Sequence, residues 1–158
     1  MKKKLALVIL DGWGYGAKDD SDAIFNAQTP TMDALHLKHP HAALRTDGEF
    51  VGLPVGQMGN SEVGHMNIGA GRVVFQDLLR INKAIEIGEF SSESVLQDAI
   101  LKAKTSNSRL HLMGLVSRGG VHSQQEHLYA LIDVINSSGL NDVVIHAFTD
   151  GRDTAPRA

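Results

Sequence analysis

The sequence predicts an α/β protein in which mostly parallel sheets are flanked by helices. Residues 5–10 form a continuous apolar run that stops at Asp11-Gly12, and residues 110–116 and 143–148 form two more. Continuous apolar runs of this length are typical of strands that are buried on both faces of a parallel sheet. The segment between the last two runs has helical periodicity, so a right-handed crossover would make these two strands parallel.

Helix and loop signals between the strands complete the first half. Thr29 followed by Pro30 predicts a helix over residues 29–39. Residues 42–45 predict a short strand. Residues 48–71 are rich in glycine and have no clear period, which predicts a long irregular loop of the kind that often carries function.

Helical periodicity returns in the second half of the chain. It predicts helices from Val74 onward and over residues 92–104, and a third that opens at Ser123 with a capping box completed by Glu126. The predicted core-facing positions are Phe75, Leu78, Leu79, Val95, Leu96, Ala99, Ile100, Ala103, Leu128, Leu131, Ile132 and Ile135.

Composition excludes several classes of function. Of the 158 residues, 42% are hydrophobic and 21% charged, as in soluble globular proteins. A net charge of −3 argues against a nucleic-acid-binding protein, and the absence of cysteine excludes a thiol nucleophile or a cysteine-ligated zinc in this chain. The apolar run near the N-terminus is too short for a signal peptide or a membrane span, so we expect a cytoplasmic protein without a membrane partner.

Three polar loops follow the predicted strands at their carboxyl ends, where ligands gather in open α/β sheets. They are Asp11-Gly12, residues 117–123 and residues 149–154. Asp11 directly follows a predicted rigid strand, which suits a metal ligand. The Asp-Gly dipeptide is also a common turn, and taken alone it favours the turn.

Two of these loops carry candidate ligand-binding side chains. His122 could donate a hydrogen bond to a phosphate or transfer a proton, or it could be an ordinary loop residue. The Arg152 guanidinium could bind a carboxylate or a phosphate, and the carboxylates of its loop, among them Asp153, could orient it or bind substrate hydroxyls. The alternative is a solvated turn with a local salt bridge.

Ser61 lies in the most informative segment of the sequence. It is flanked by glycines and precedes a short predicted helix that runs through Ile68. The N–H groups and the dipole at such a helix start would stabilise a phosphate carried on the serine hydroxyl. The alternative is a plain helix N-cap, which the spacing alone favours.

Four segments of the chain resemble one family, the cofactor-independent phosphoglycerate mutases of the alkaline phosphatase-like superfamily. Residues 7–14 (LVILDGWG) are similar to the opening of the family, and residues 57–72 (QMGNSEVGHMNIGAGR) to its nucleophile segment. Residues 119–123 (GGVHS) and 146–154 (HAFTDGRDT) are similar to its substrate loops. The segments occur in order along the whole chain, which makes the resemblance far more specific than any one motif.

The resemblance implies a reaction and the residues that perform it. The family interconverts 2- and 3-phosphoglycerate in glycolysis and gluconeogenesis, through a phosphoserine and two manganese ions, without 2,3-bisphosphoglycerate. Ser61 would carry the phosphoryl group, and Asp11 and Ser61 would ligate one manganese ion. His122, Arg152 and Asp153 would hold the substrate, a small phosphorylated three-carbon acid. Neither nucleic acid nor membrane would be a partner, and the full-length protein would be a monomer.

The resemblance also implies a division of the chain. Residues 1–75 would be the first piece of an alkaline phosphatase-like, metal-binding domain, and residues 76–158 the start of an inserted α/β phosphotransferase domain. The remaining metal ligands, substrate arginines and catalytic lysine would lie beyond Ala158, so we expect this chain to be inactive alone. The alternatives are another metal-dependent phosphatase of the superfamily, which would lack the paired His122 and Arg152-Asp153 loops, and a non-catalytic binding fragment.

Overall fold

The computed structural model describes residues 4–156, and its architecture confirms the predicted α/β class. In chain order the elements are α1 (Ala23–Asn26), α2 (Pro30–Lys38), α3 (Ser61–Ala70), α4 (Asp77–Glu86), α5 (Ser94–Thr105), β1 (Leu110–Val116), α6 (Gln125–Ser137) and β2 (Val143–Thr149), with short 3₁₀ turns at Gly48–Val51 and Glu89–Ser92. None of the helices within residues 4–156 has the length and apolar character needed to cross a membrane.

The sheet consists, within the described residues, of β1 and β2 side by side and parallel. Leu110 lies opposite Val143 and Val116 opposite Thr149, so the two strands are in register and end at the same level. α6 forms the crossover between them, as the periodicity predicts. The loops that follow the two strands therefore leave the same edge of the sheet side by side.

The apolar run at residues 5–10, which the sequence predicts as a strand, is not a strand in the structure. Leu5 is 97% exposed and Val8 is 76% exposed, and neither β1 nor β2 pairs with this segment. A continuous apolar run indicates a strand only where neighbours can bury it. Within the described part of the chain, these side chains remain largely uncovered.

The glycine-rich stretch predicted to be irregular over residues 48–71 is so only in part, since residues 48–51 form a 3₁₀ turn and residues 61–70 form α3. The prediction of a short strand at residues 42–45 is wrong, because these residues have no regular secondary structure. An isolated antiparallel bridge between Asp47 and Met58 closes the loop that follows. A buried apolar cluster holds this loop against α3, and its members are Val51, Leu53 and Val63.

Two close contacts fix the end of this loop. Gly52 has φ +86°, and a Cβ at this position would lie 2.0 Å from the carbonyl oxygen of Val74, so the two backbones approach because residue 52 is glycine. The Asn67 side chain donates to the Val51 carbonyl oxygen over 3.0 Å and accepts from the Val74 N–H over 2.8 Å. The irregular loop is therefore a firm support for α3.

The helices of the second half bury a separate set of apolar side chains. These are Leu79 in α4, Ile100 and Ala103 in α5, and Ile135 in α6. Val95, predicted on the core face of α5, is 73% exposed. The apolar stripe of α5 is therefore buried only in its C-terminal half.

The capping box predicted at the start of α6 is wrong. The N-cap is Gln124 and the helix begins at Gln125. The Ser123 hydroxyl donates to the carbonyl oxygen of Leu115, at the end of β1, and so faces away from the first turn of the helix. Ser123 thus ties the loop after β1 back to the strand.

A polar contact joins α4 to α6. Nε2 of His127 lies 2.6 Å from Oδ1 of Asn82. The amide oxygen can only accept, so Nε2 carries a proton. Burial is the main cause that lowers the pKa of His127 below its ordinary value of 6.5, which favours the neutral ring.

Candidate active site

α3 begins with Ser61, and its N-cap is Asn60. The Asn60 side-chain oxygen accepts a hydrogen bond of 3.0 Å from the Val63 N–H, which satisfies one of the free donors of the first turn. The N-cap interpretation of Ser61 is therefore wrong. Because the Asn60 carboxamide takes that position, the Ser61 hydroxyl is available for other partners.

The Ser61 hydroxyl lies between Asp11 and His65. Its Oγ donates to Oδ2 of Asp11 over 2.6 Å and lies 3.1 Å from Nδ1 of His65. The same Nδ1 lies 2.8 Å from the Ser61 carbonyl oxygen, which can only accept, so Nδ1 carries a proton and donates. The single Nδ1 proton is shared between the Ser61 carbonyl and hydroxyl oxygens, and the hydroxyl directs its own proton to Asp11.

Asp11 and Ser61 offer oxygen atoms of the kind that bind hard divalent cations such as Mg²⁺ and Mn²⁺. Both residues are exposed, and their oxygens are close enough to face a common ion. Within residues 4–156, no three or more His, Cys, Asp or Glu side chains are grouped so that they could hold a metal ion. The donor atoms therefore fit part of a cation site, which needs further ligands to be complete.

The loops after β1 and β2 meet at the Asp150 carboxylate. Oδ1 accepts from the N–H groups of Arg152 and Asp153, over 2.8 and 3.0 Å, and Oδ2 accepts from the Ser117 hydroxyl. These bonds, that from Ser117 foremost, stabilise the charged form and lower the pKa of Asp150 to about 2. A charged carboxylate therefore ties the two loops together at physiological pH.

Acidification should open this pair of loops only at very low pH. The folded-state pKa of Asp150, about 2, lies below its ordinary value of 3.8, so its contribution to stability is fully present above about pH 4. That contribution is lost as the pH falls through about 2. NMR titration of the Arg152 and Asp153 amide protons should give a midpoint near this lower value. A midpoint near 4 in the folded protein would contradict the hydrogen bonding described above.

His122 is oriented by Asp153. Nδ1 of His122 lies 2.6 Å from Oδ2 of Asp153, whose side chain is 10% exposed, whereas that of His122 is 59% exposed. The contact requires glycine at position 119, because a Cβ there would lie 2.7 Å from Cβ of Asp153. Arg152 is exposed beside them. The structure thus brings the three predicted loop residues together, at the edge where both strands end.

A hydrogen bond connects the segment before α3 with the loop after β1. Nε2 of Gln57 donates to the carbonyl oxygen of Gly120 over 3.2 Å. Oε1 of the same side chain is buried and has no hydrogen-bond partner among the described residues. This hydrogen bond connects the segment that leads to Ser61 with the loop that contains His122.

Sequence reasoning missed several of these contacts. His65 follows Ser61 by one helical turn, and this i, i+4 spacing is the signal that could have identified it. His111 and His146 lie on neighbouring strands with ring nitrogens 2.8 Å apart. The two histidines are diagonal neighbours, because the residue directly opposite His146 is Met113. Only the register of the two strands brings them together, and the sequence does not show this register.

Comparison with known proteins relates the chain to one family. The family model described as BPG-independent PGAM N-terminus (iPGM_N) matches residues 81–158. A 2,3-bisphosphoglycerate-independent phosphoglycerate mutase from Vibrio cholerae is 55% identical over 157 residues, which are 99% of this chain and 31% of the relative. Over almost its whole length the chain is similar to the N-terminal portion of these mutases. The family resemblance predicted from four short segments is therefore confirmed.

The chain is also similar to other phosphoglycerate mutases. A second enzyme, 2,3-bisphosphoglycerate-independent phosphoglycerate mutase 2 from Methanosarcina acetivorans, is 56% identical over 99% of this chain and 30% of its own length. The phosphoglycerate mutase of Leishmania mexicana, crystallised at low cobalt concentration, superposes with a TM-score of 0.65 and 40% identity, covering 92% of this chain and 27% of that chain. The chain thus spans less than a third of the length of the relatives it matches.

Proposed function

We propose that this chain is the N-terminal part of a phosphoglycerate mutase, which interconverts 2- and 3-phosphoglycerate through a phosphoserine and without 2,3-bisphosphoglycerate. The observation that carries the proposal is the hydrogen bond between Ser61 and Asp11, 50 positions apart in a chain 55% identical to such a mutase. An exposed serine that directs its proton to a carboxylate, at the start of a helix, is arranged for phosphoryl transfer.

Ser61 would attack phosphorus and carry the phosphoryl group between the two hydroxyls of the glycerate. Asp11 accepts the hydroxyl proton in a hydrogen bond, and His65 donates to the same oxygen and holds it in place. The N–H groups and the dipole at the start of α3 would stabilise the negative charge of the phosphoserine. A serine hydroxyl is a weak nucleophile at its free pKa, so these contacts alone are insufficient.

Asp11 and Ser61 would ligate one of two divalent cations, for which we propose manganese. The support is the chemistry of the two donor atoms, both oxygens, which lie 2.6 Å apart. When bound, the cation would lower the pKa of the Ser61 hydroxyl and neutralise charge on the phosphoryl group. Its remaining ligands would come from the part of the family that lies outside the match.

His122, Arg152 and Asp153 would bind the phosphoglycerate, a small phosphorylated three-carbon acid. The Arg152 guanidinium offers paired N–H donors that match a carboxylate or a phosphate. His122 uses Nδ1 on Asp153, which leaves Nε2 for the substrate. Asp153, whose side chain is nearly buried, would act chiefly by holding His122 in this orientation.

An apolar groove beside His122 is a poorer place for this substrate. Its volume is about 600 Å³, and His122 forms part of its lining. Apolar side chains, chiefly from β1, α4 and α6, outnumber the polar ones around it. Transfer of an anion from water to apolar surroundings is strongly unfavourable unless the charge is paired. We therefore assign the substrate to the polar loops.

The domain division, location and oligomeric state are part of the same proposal. Residues 1–75 would contribute to the phosphatase-like, metal-binding domain and residues 76–158 to the inserted phosphotransferase domain. The family-model match, which begins at residue 81, supports a boundary near this point. The enzyme would work as a monomer in the cytoplasm, with neither nucleic acid nor membrane as a partner, in glycolysis and gluconeogenesis.

The test uses the full-length protein, meaning a chain that contains residues 1–158 together with the remaining length of the relatives. Supplied with 3-phosphoglycerate and Mn²⁺ but no 2,3-bisphosphoglycerate, it should form 2-phosphoglycerate, and mass spectrometry of the quenched reaction should locate phosphate on Ser61. Chelation should stop turnover, and added Mn²⁺ should restore it. Release of inorganic phosphate in place of 2-phosphoglycerate would favour the alternative phosphatase, and a requirement for 2,3-bisphosphoglycerate would contradict the proposal.

The isolated 158-residue chain should show no mutase turnover, even with Mn²⁺. Within residues 4–156 the cation donors do not reach a group of three, so the Ser61 hydroxyl would not be activated. The assay is the same conversion of 3-phosphoglycerate, with the full-length protein as the positive control. Turnover by the isolated chain at the level of the full-length protein would show that its own residues complete the site.

A further inference from the structure

We propose that Asp150, together with Ser117, is a positioning residue that holds the Arg152-Asp153 loop in its substrate-binding conformation. The inference rests on the proposed function, since it concerns the same substrate. It adds two residues that the sequence does not single out and that make no hydrogen bond to Ser61, Asp11 or His65 among the described residues.

The Asp150 carboxylate joins three donors from two loops. Oδ1 accepts from the N–H groups of Arg152 and Asp153. These two bonds fix the backbone of the two residues whose side chains would bind the substrate. Oδ2 accepts from the Ser117 hydroxyl on the neighbouring loop. Hydrogen bonds to an ionised carboxylate are stronger than neutral ones, so this single side chain sets the conformation of its own loop.

Ser117 fixes the carboxylate to the rest of the fold. It is 5% exposed, its Oγ accepts from the Gly119 N–H over 2.9 Å, and its hydroxyl proton is donated to Asp150. Its carbonyl oxygen accepts from the Gln125 N–H at the start of α6 over 2.8 Å. The position of Asp150 is therefore set by contacts to β1 and α6, through Ser117.

The effect of Asp150 reaches His122 through Asp153. The Asp153 N–H is held by Asp150, and the Asp153 carboxylate holds the His122 imidazole. Loss of the Asp150 carboxylate would therefore disturb Arg152 and His122 together. The Asp150 oxygens are already occupied by protein donors, so its contribution is to substrate binding through its neighbours.

The decisive variant is Asp150→Asn in the full-length protein, because the amide keeps the size of the side chain but loses its charge and one acceptor oxygen. We expect KM for 3-phosphoglycerate to rise about tenfold, the equivalent of one charge-assisted hydrogen bond, with a smaller change in kcat. Ser117→Ala should act in the same direction, and the double variant should be little worse than Asp150→Asn, because both changes remove one shared contact.

Asp142→Asn is the matched control, because the residue precedes the other end of β2 and its carboxylate forms an exposed ion pair of 2.6 Å with Arg109. This variant should leave KM unchanged. Hydrogen exchange of peptides that cover residues 150–154 provides a readout that needs no turnover. Exchange should be faster in Asp150→Asn and Ser117→Ala, and unchanged in Asp142→Asn.

The two readouts separate this inference from the proposed function. If the wild-type protein lacks mutase activity, the proposed function fails, while the exchange measurement still decides whether Asp150 holds the loop. Faster exchange together with a raised KM supports the positioning role. A folded Asp150→Asn protein with unchanged KM, or with unchanged exchange over residues 150–154, would overturn it.

Discussion

Replacement of Ser61 by alanine in the full-length protein is expected to abolish mutase turnover. Removal of a catalytic nucleophile typically lowers kcat by more than about 10⁴-fold, and no phosphoserine can form without the hydroxyl. The phosphate found on the wild-type protein after quenching should be absent from the variant. Conversion of 3-phosphoglycerate followed over several hours, with mass spectrometry of the same samples, measures both effects.

The fold should tolerate this change. Ser61 is exposed, and the cap of α3 is supplied by Asn60, so alanine should alter the free energy of unfolding by less than about 0.5 kcal/mol. Ser94→Ala is a matched control, since Ser94 is the exposed first residue of another helix, α5. Its turnover should equal that of the wild-type protein. Retained turnover in Ser61→Ala would refute the assignment of the nucleophile.

Replacement of Gly59 by alanine is expected to lower the free energy of unfolding by about 3 kcal/mol. A Cβ at this position would lie 1.9 Å from the carbonyl oxygen of Thr46 and 3.0 Å from its carbon. The obstacle is backbone, and the adjacent bridge between Asp47 and Met58 holds it in place. Since Gly59 precedes Asn60, the cap of α3 should be displaced as well. Urea denaturation of the full-length protein measures the change.

Gly69→Ala is the control for the same substitution at an open position. Gly69 lies within α3, and a Cβ there would meet nothing within 4 Å. Alanine is favoured over glycine inside a helix by up to about 1 kcal/mol, so this variant should be as stable as the wild-type protein or slightly more stable. Equal stabilities for the two variants would mean that Thr46 can move away from residue 59 at little cost.

The sequence predicts those elements whose partners are close in the chain. β1, α6 and β2 form one continuous unit, and local periodicity is enough to predict both strands and their crossover. The strand predicted at residues 5–10 fails because an apolar run reports the tendency to be buried, whereas a strand also needs a neighbour. For the same reason Val95 satisfies the helical period of α5 yet remains exposed.

The family resemblance implies the residues of the candidate site but not the contacts between them. The roles of Ser61 and Asp11 follow from that resemblance and stay predictions, whereas spacing alone favours a helix cap and a turn. The cap prediction failed by one residue, because the side chain of Asn60 competes for the same N–H groups. The proposed roles of Ser117 and Asp150 depend on two loops that meet only when the strands pair in register. No local sequence pattern predicts this contact between the loops.

The uncovered segment at residues 5–10 has a consequence for handling the chain by itself. A continuous apolar segment whose side chains are largely exposed can pair with a second molecule. The isolated chain should therefore self-associate as its concentration rises, which static light scattering would detect. A lysine at Val8, which is 76% exposed, should act as a gatekeeper and delay this association; identical scattering for the two proteins would mean that another surface drives it.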